Sequence, residues 1–361
     1  MTPAIALAAL AALALAAIGA IVFRSKRAQA SPTISSPRES GESRTAGAEN
    51  YPPYANEATQ SVEAEYFKLA FGVGRFDYNI VGEHAEVLRR IGEELAESVH
   101  QREYFPRRPM LLPRLLKALN DTESTRQELV NLILEDPALA GSVLQRSNTP
   151  YYRVSPEPVD SLDRAVQVLG TEGLRSLLAT AILQPVFRLP KGYFDNFAPV
   201  TWEQAQRCAA AAEKYAGATH QADPFVAQLL GLLEPLARIV LFRLAMDMYR
   251  EKPHLLPRAE VFIRAIQAHG SQLAALIART WELSDPSVKA LDEQEQRVSP
   301  AHMSALGRAV YFGNLCGGLA LLGARNFYSA DGAHALLTSQ GLDRHDAYAM
   351  WHAASLAGSD Q

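Results

Sequence analysis

Hydrophobic and polar residues follow one another along most of the chain with the spacing of an α-helix. One helix is predicted over 82–99, where the apolar stripe at i, i+1, i+4 and i+8 consists of Val87, Leu88, Ile91 and Leu95. From about Tyr51 onward this periodicity recurs, and the strict alternation that is typical of strands is not convincing anywhere. The pattern therefore predicts an all-α protein.

Residues that start and stop helices divide this pattern into elements. A side-chain acceptor directly before a proline marks four helix starts, at Asp136-Pro137, Asp223-Pro224, Asp285-Pro286 and Ser299-Pro300. Ser124 and Gln127 form a capping box. Glycines stand where helices are expected to end, at Gly170, Gly192, Gly217 and Gly341. The Ala-rich stretch 205–212 favours a helix that its neighbours can approach closely.

The N-terminus has a different pattern. The uncharged run from Pro3 to Phe23 would form a helix about 31 Å long, close to the roughly 30 Å of a bilayer core. We predict a transmembrane anchor within residues 1–27. Ala28-Gln29-Ala30 resembles a signal-peptide cleavage site, but the basic residues follow the apolar run instead of preceding it. Because such basic residues stay inside, we expect a single-pass protein of the bacterial inner membrane, with its C-terminal domain in the cytoplasm.

Composition narrows the class of the remaining chain. Residues 28–50 are polar and predict a disordered linker. The 361 residues carry a net charge of −4, which argues against a general nucleic-acid binder. Cys208 and Cys316 have no metal-ligand spacing, and we expect both to be reduced and buried.

Three consecutive segments resemble an HDOD domain, a bacterial helical module related to HD-type phosphohydrolases. They are LPRLLKALND, LVNLILEDPALAGSVLQRSNTPYY and VDSLDRAVQVLGTEGLRSLL, and a looser likeness continues through the second half. The resemblance covers 104–296 and implies a helical bundle of HDOD type. The flanks are then an accessory helical region, 51–103, and a C-terminal helical extension, 297–361.

The same resemblance locates the metal ligands of an HD-type enzyme, which needs His and Asp to bind a divalent cation that activates water. The position of the His-Asp pair reads Glu234-Pro235 here. The other expected histidines fall on Gly270, with His269 one residue out of register, and on Gln294 and Glu295. We therefore predict no catalytic residues, no metal and no cofactor.

Other residues are weaker candidates. Asn148, Tyr151, Tyr152 and Arg175 are predicted as a face for a ligand or a partner, although each is also consistent with a structural role. A basic cluster precedes and enters the domain, and it forms either a solvated face or a contact for anionic lipid or an acidic partner: Arg102, Arg107, Arg108, Arg114 and Lys117. His345-Asp346 stands alone near the C-terminus and predicts a solvated helix surface.

The resemblance implies signal transduction. We predict a non-catalytic regulatory scaffold on the inner membrane that binds protein partners, signalling or membrane-associated, or an unknown small molecule, but not nucleic acid. One alternative is a diverged metal-dependent phosphodiesterase or phosphohydrolase of nucleotides, including cyclic ones, that uses Glu234, His269 and Glu295. The other is a structural assembly factor that acts through the flanking helices.

Overall fold

A computed structural model describes residues 57–97, 101, 105–106, 109–120, 126–148 and 158–358. The predicted anchor from Pro3 to Phe23 and the predicted linker lie outside the described residues, as does Ser124. In the described residues the regular elements are thirteen α-helices and two short 3₁₀ helices, and the all-α prediction is confirmed for them.

The helices lie as follows along the chain. They are α1 Glu57–Phe71, α2 Glu83–Glu97, α3 Leu112–Asn120, α4 Arg126–Leu134, α5 Pro137–Ser147, α6 Leu162–Leu183, α7 Phe197–Thr219, α8 Pro224–Arg250, α9 Ala259–Thr280, α10 Asp285–Glu295, α11 Ala305–Gly323, α12 Ala330–Ser339 and α13 Arg344–Ala357. The 3₁₀ helices are Gln184–Phe187 and Pro300–His302.

Two of the predicted Asp-Pro helix starts are confirmed by their capping bonds. The Asp223 side chain accepts hydrogen bonds from the backbone N–H groups of Phe225 at 2.8 Å and Val226 at 3.1 Å, at the start of α8. The Asp136 side chain accepts one from the N–H of Leu139 at 3.1 Å, at the start of α5. In each case the proline stands at the first helical position, where no backbone donor is needed.

The other two predicted starts are displaced. The cap of α10 is Ser284, one residue before the predicted Asp285. Ser299-Pro300 opens only a 3₁₀ turn, and the next α-helix begins after Ser304. The reason is that Ser304 caps α11 by accepting from the N–H of Gly307 at 3.0 Å. Its own hydroxyl donates to the Glu293 carboxylate at 2.7 Å, which fixes the cap.

The predicted helix ends at glycines have different outcomes: Gly341 directly follows Gln340, the cap of α12, whereas Gly170 interrupts α6 and Gly217 lies within α7. Gly170 breaks the helical path inside α6, with φ of 65° and ψ of 178°, a backbone conformation that glycine adopts without strain. Gly217 does not end α7, which continues to Thr219 and closes at His220 in the left-handed region, with φ of 54°. A Cβ at Gly217 would lie 3.8 Å from the ring of Pro224, so this glycine stands beside the start of the next helix.

Aromatic residues from four helices form the centre of the core. The rings of Phe197 in α7 and Phe242 in α8 are stacked with centroids 4.6 Å apart. Phe71 of α1 lies 5.0 Å from Phe197, and Phe262 of α9 lies 5.0 Å from Phe242. Since α1 belongs to the N-terminal flank, this flank shares one core with the domain that follows it.

Trp281, at the end of α9, packs against the segment before α3 and forms a hydrogen bond with it. Its ring is fully buried, and its indole N–H donates to the backbone carbonyl of Pro106 at 2.7 Å. A buried indole needs such a partner because an unpaired donor in the core is costly.

Small residues allow α11 and α8 to approach α7 on two sides. A Cβ at Gly317 of α11 would lie 2.5 Å from the backbone nitrogen of Cys208, and one at Gly313 would lie 2.7 Å from the Cβ of Ala212. On the other side, a Cβ at Gly231 of α8 would lie 3.1 Å from the Cα of Ala209. The predicted close approach along 205–212 is therefore present. We call the contact of α11 with α7 the glycine seam.

Charged residues join α7 to α13 and to the segment that follows α11. The Glu203 carboxylate of α7 accepts from Arg207 at 2.8 Å and from Arg325 at 2.5 Å. Arg207 is buried and also donates to the backbone carbonyl of Ala354 in α13, at 2.9 Å. Burial raises the pKa of Glu203, but the hydrogen bonds from the two guanidinium groups outweigh it and lower the pKa below the usual value.

Two described helices are long and apolar enough to cross a membrane, α8 and α11. In the fold, 83% and 72% of their apolar windows are buried against other helices. They therefore fill the protein core. Cys208 and Cys316 are both buried and unpaired in the same region, and burial raises the pKa of the Cys208 thiol to about 12.

Gly317→Ala is expected to destabilise the protein. The added methyl meets backbone atoms that cannot rotate away, so α11 must shift from α7, and overpacking of this kind typically costs about 1–3 kcal/mol. The measurement is the free energy of unfolding in urea. Gly270→Ala is the matched control, because its Cβ would lie 3.9 Å from its closest neighbour in mid-helix and alanine raises helix stability by up to about 1 kcal/mol. Equal stability of the two variants would contradict the tight seam.

Candidate functional site

A cavity of about 200 Å³ lies between α1, α7, α8, α10 and α11, open on one side. Most of its lining side chains are polar. We call it the polar cavity, and its lining consists of Gln60, Val62, Glu63, Tyr66, Gln204, Arg238, Gln294, Tyr311, Asn314, Leu315 and Gly318. The two flanks of the chain, through α1 and α11, therefore provide two of its walls.

Arg238 is the cation of the polar cavity. Its guanidinium donates to the side-chain oxygen of Gln204 at 2.7 Å and lies 4.8 Å from the centre of the Tyr66 ring. Burial lowers the pKa of Arg238, but the neighbouring Tyr66, Glu63 and Glu234 outweigh it and raise the pKa. The cation therefore feels the charge of two nearby carboxylates.

Glu234 lies one helical turn before Arg238 on α8, where the resemblance to HD-type enzymes places the His of the HD pair. Its carboxylate accepts from the Asn314 amide at 2.5 Å and from the Ser271 hydroxyl at 3.3 Å. Burial raises the pKa of Glu234, and Arg238 with the two hydrogen bonds reduces that shift without reversing it. The carboxyl group is therefore held by protein donors from α9 and α11.

The residues at the HD-type positions do not fit a divalent cation. Pro235 has no donor atom in its side chain and Gly270 has no side chain. The Gln294 amide donates to the backbone carbonyls of Ala290 and Gly307, at 3.0 Å each. Glu295 is exposed. Within the described residues, no group of three or more His, Cys, Asp or Glu side chains could hold a metal ion.

His269 faces away from Glu234. Its imidazole nitrogen Nε2 lies 3.4 Å from where a Cβ at Gly92 of α2 would stand. Ser271, two residues later, contacts Glu234, and two residues turn a helix by about 200°. Partial burial lowers the pKa of His269. The set of Glu234, His269 and Glu295 that the enzyme alternative needs is thus not brought together.

Asn148 holds two segments of the backbone together. Its amide NH₂ donates to the carbonyls of Leu144 at 2.9 Å and Val159 at 2.8 Å, and its oxygen accepts from the N–H of Val159 at 2.8 Å. Both amide donors therefore serve the connection between α5 and α6. Tyr151 and Tyr152 lie outside the described residues, and Arg175 is described only as backbone within α6.

Two of the remaining sequence candidates, Arg114 and His345, are exposed. Arg114 pairs with Glu135 in a contact that is largely exposed on both sides, whereas Arg102, Arg107 and Arg108 lie outside the described residues. His345 is exposed in the first turn of α13, and its N–H donates to the Asp343 cap at 2.7 Å.

Sequence reasoning found Glu234 but missed the residues around it. The sequence does indicate Arg238 as a candidate, because a charged residue in the middle of the apolar helix α8 is expected to have a buried partner. Glu63 and Asn314 had no comparable signal, since they lie outside the HDOD-like segments and reach the site only through tertiary packing.

Comparison with known proteins agrees with this architecture. No curated protein matches the chain. A crystal structure from Shewanella amazonensis, named "putative metal-dependent phosphohydrolase", has a TM-score of 0.54 at 11% identity and covers 77% of this chain and 100% of its own. An "HDOD domain protein with unknown function" from Geobacter sulfurreducens has a TM-score of 0.51 at 20% identity, with 76% and 90% covered. At these identities the likeness concerns the fold.

The HDOD domain model matches residues 105–297, and the predicted resemblance is confirmed: the chain belongs to the HDOD domain family.

Proposed function

We propose that the protein is a non-catalytic regulatory scaffold, in which an HDOD domain is tethered to the cytoplasmic face of the bacterial inner membrane. It acts by binding partners or a small ligand. One observation carries the proposal: at the HD position, Glu234 is held by Asn314 and Ser271 with the Arg238 cation beside it.

The electrostatics of this arrangement support binding in place of metal-assisted hydrolysis. In an HD-type enzyme the metal ions supply the positive charge that stabilises the phosphoryl group and activates water. Here Arg238 supplies a fixed positive charge, and it would repel a divalent cation at the same carboxylate. Asn314 and Ser271 satisfy the carboxylate oxygens that a cation would need.

The integrated flanks support a regulatory role. Since α1 and α11 line the polar cavity together with helices of the HDOD domain, an occupant of the cavity contacts all three regions of the chain. Binding would shift the equilibrium between packing arrangements in proportion to its preference for one of them. The N-terminal apolar run supports the tether, which raises the effective concentration of the domain toward membrane partners.

The function is tested by metal content and turnover. We expect the full chain, purified in detergent without chelators, to contain far less than one equivalent of iron, manganese or zinc, and to hydrolyse neither cyclic nucleotides nor cyclic dinucleotides with added metal. Elemental analysis and product chromatography measure both. A metal-loaded HD-type phosphodiesterase assayed in parallel controls for the conditions. Stoichiometric metal together with turnover would overturn the proposal.

Glu234→Gln tests whether this carboxyl is structural. The pKa of Glu234 in the folded protein is raised above the value near 4.3 of an unfolded chain. Between these two pKa values the folded state binds more protons than the unfolded state, so the free energy of unfolding falls as pH rises through this range. Glutamine does not titrate, and the variant therefore lacks this pH-dependent loss of stability. Its unfolding temperature should equal or exceed that of wild type at pH 7, and the difference should shrink toward pH 4.

Glu295→Gln is the control, because this exposed side chain is replaced with a change of less than about 0.5 kcal/mol. Added Mn²⁺ should leave the unfolding temperature of wild type unchanged. If Mn²⁺ raises it in wild type but not in the Glu234→Gln variant, Glu234 is a metal ligand instead.

The tether is tested by deleting residues 1–30. We expect the full chain to sediment with membranes and to be released by detergent, and the shortened chain to remain in the supernatant. A reporter fused after Gln361 should be active in the cytoplasm. Activity of that reporter only in the periplasm, or sedimentation of the shortened chain with membranes, would refute the proposed topology.

A further inference from the structure

The polar cavity contains hydrogen-bond acceptors that the fold leaves for another molecule. The Asn314 amide gives its NH₂ group to Glu234, whereas its oxygen is buried and has no partner among the described residues. The Gln294 NH₂ group is likewise engaged, by the carbonyls of Ala290 and Gly307. In both amides the donor serves the fold, and the oxygen is the group left to a ligand.

Glu63 adds a negative charge to these acceptors. Its carboxylate accepts from the Gln267 amide at 3.2 Å, which uses one of the roughly four acceptor sites of a carboxylate. A ligand that satisfies Glu63, Asn314 and Gln294 together must bring several donors and a positive charge. An ammonium group has three donors and one charge.

Arg238 provides the opposite recognition element within the same cavity. The Tyr66 ring at 4.8 Å restrains the plane of the guanidinium, and hydrogen bonds to Gln204 and to the Tyr66 hydroxyl engage part of its five N–H groups. A restrained guanidinium with free donors is suited to a carboxylate, which it binds with two parallel hydrogen bonds. The cavity therefore presents complementary groups for one cation and one anion.

The volume favours a small occupant. The roughly 200 Å³ of the polar cavity can enclose a small molecule, and a larger ligand would extend through the open side. Ordinary drug-sized ligand pockets begin at about 300 Å³.

We propose that the polar cavity binds a small zwitterion of the α-amino-acid class, with its ammonium group on Glu63, Asn314 and Gln294 and its carboxylate on Arg238. The inference rests on the proposed function, because a metal ion at Glu234 would place a second cation beside Arg238. The ligand makes contact with both flanks and with the domain between them. Its concentration would then set how firmly α1 and α11 are held against the bundle.

The experiment measures the unfolding temperature of the full chain in detergent with each of the twenty standard amino acids, at about 10 mM. We expect one or a few of them to raise this temperature, since a ligand that binds only the folded state stabilises it. Calorimetry then compares the best amino acid with two analogues, the amine that lacks the carboxylate and the carboxylic acid that lacks the ammonium. Each analogue should bind at least tenfold more weakly.

Two variants assign the two ends of the ligand. Glu63→Gln should weaken binding of the amino acid at least tenfold and leave the affinity for the deaminated acid nearly unchanged. Arg238→Lys keeps the charge but loses the paired hydrogen bonds, and it should weaken the amino acid while sparing the decarboxylated amine. Glu65→Gln is the matched control on the same helix, because Glu65 pairs with Lys68 and does not line the cavity.

The outcomes separate this inference from the function on which it rests. Absence of any shift with all twenty amino acids, or tight binding that Glu63→Gln does not change, overturns the zwitterion site. Preferential binding of an uncharged polyol such as glycerol overturns it as well. Stoichiometric metal with turnover would instead overturn the scaffold function, and that result comes from a different measurement.

Discussion

The arrangement of the C-terminal half depends on the contact between α11 and α7, where two positions of α11 are glycines and carry no side chain. Gly313 and Gly317 bring the helix backbones so close that a Cβ would overlap Ala212 or Cys208. Asn314 lies beside Gly313 on α11, and its position follows from that approach. With α11 further away, the Asn314 amide would lose its 2.5 Å bond to Glu234. A purely steric constraint therefore determines the polar chemistry of the cavity.

The second constraint is the balance of charge below the surface. Glu63, Glu234 and Arg238 lie near one another, and the arginine lowers the pKa of Glu234 against the opposing effect of burial. Arg238 thereby offsets part of the cost of placing these carboxylates below the surface. In an enzyme of the HD type, metal ions would provide that compensation. Here an arginine and an asparagine provide it, and the family fold is preserved around a different set of groups.

Much of the fold could be predicted from local patterns, because its causes are local. Asp136 and Asp223 cap their helices through bonds to residues two or three positions away. The sequence pattern did not identify Ser304 as a helix cap, because the Ser304 hydroxyl is held in place by Glu293, eleven residues earlier. Glu234 could be found by its place in the HD motif. Its partner Asn314 is 80 residues away and outside the HDOD segment, so only tertiary packing identifies it.

The N-terminal flank meets the segment after α11 beside the polar cavity. The Ser61 hydroxyl of α1 lies 3.4 Å from that of Tyr328, which follows α11, at a separation of 267 residues. Loops of such length close late, since their entropy is lost before the contacts form. Synthesis proceeds from the N-terminus, so the contact of α1 with α11 can form only after α11 has left the ribosome. A product truncated before α11 would keep the HDOD segment and still lack the enclosure around Glu234.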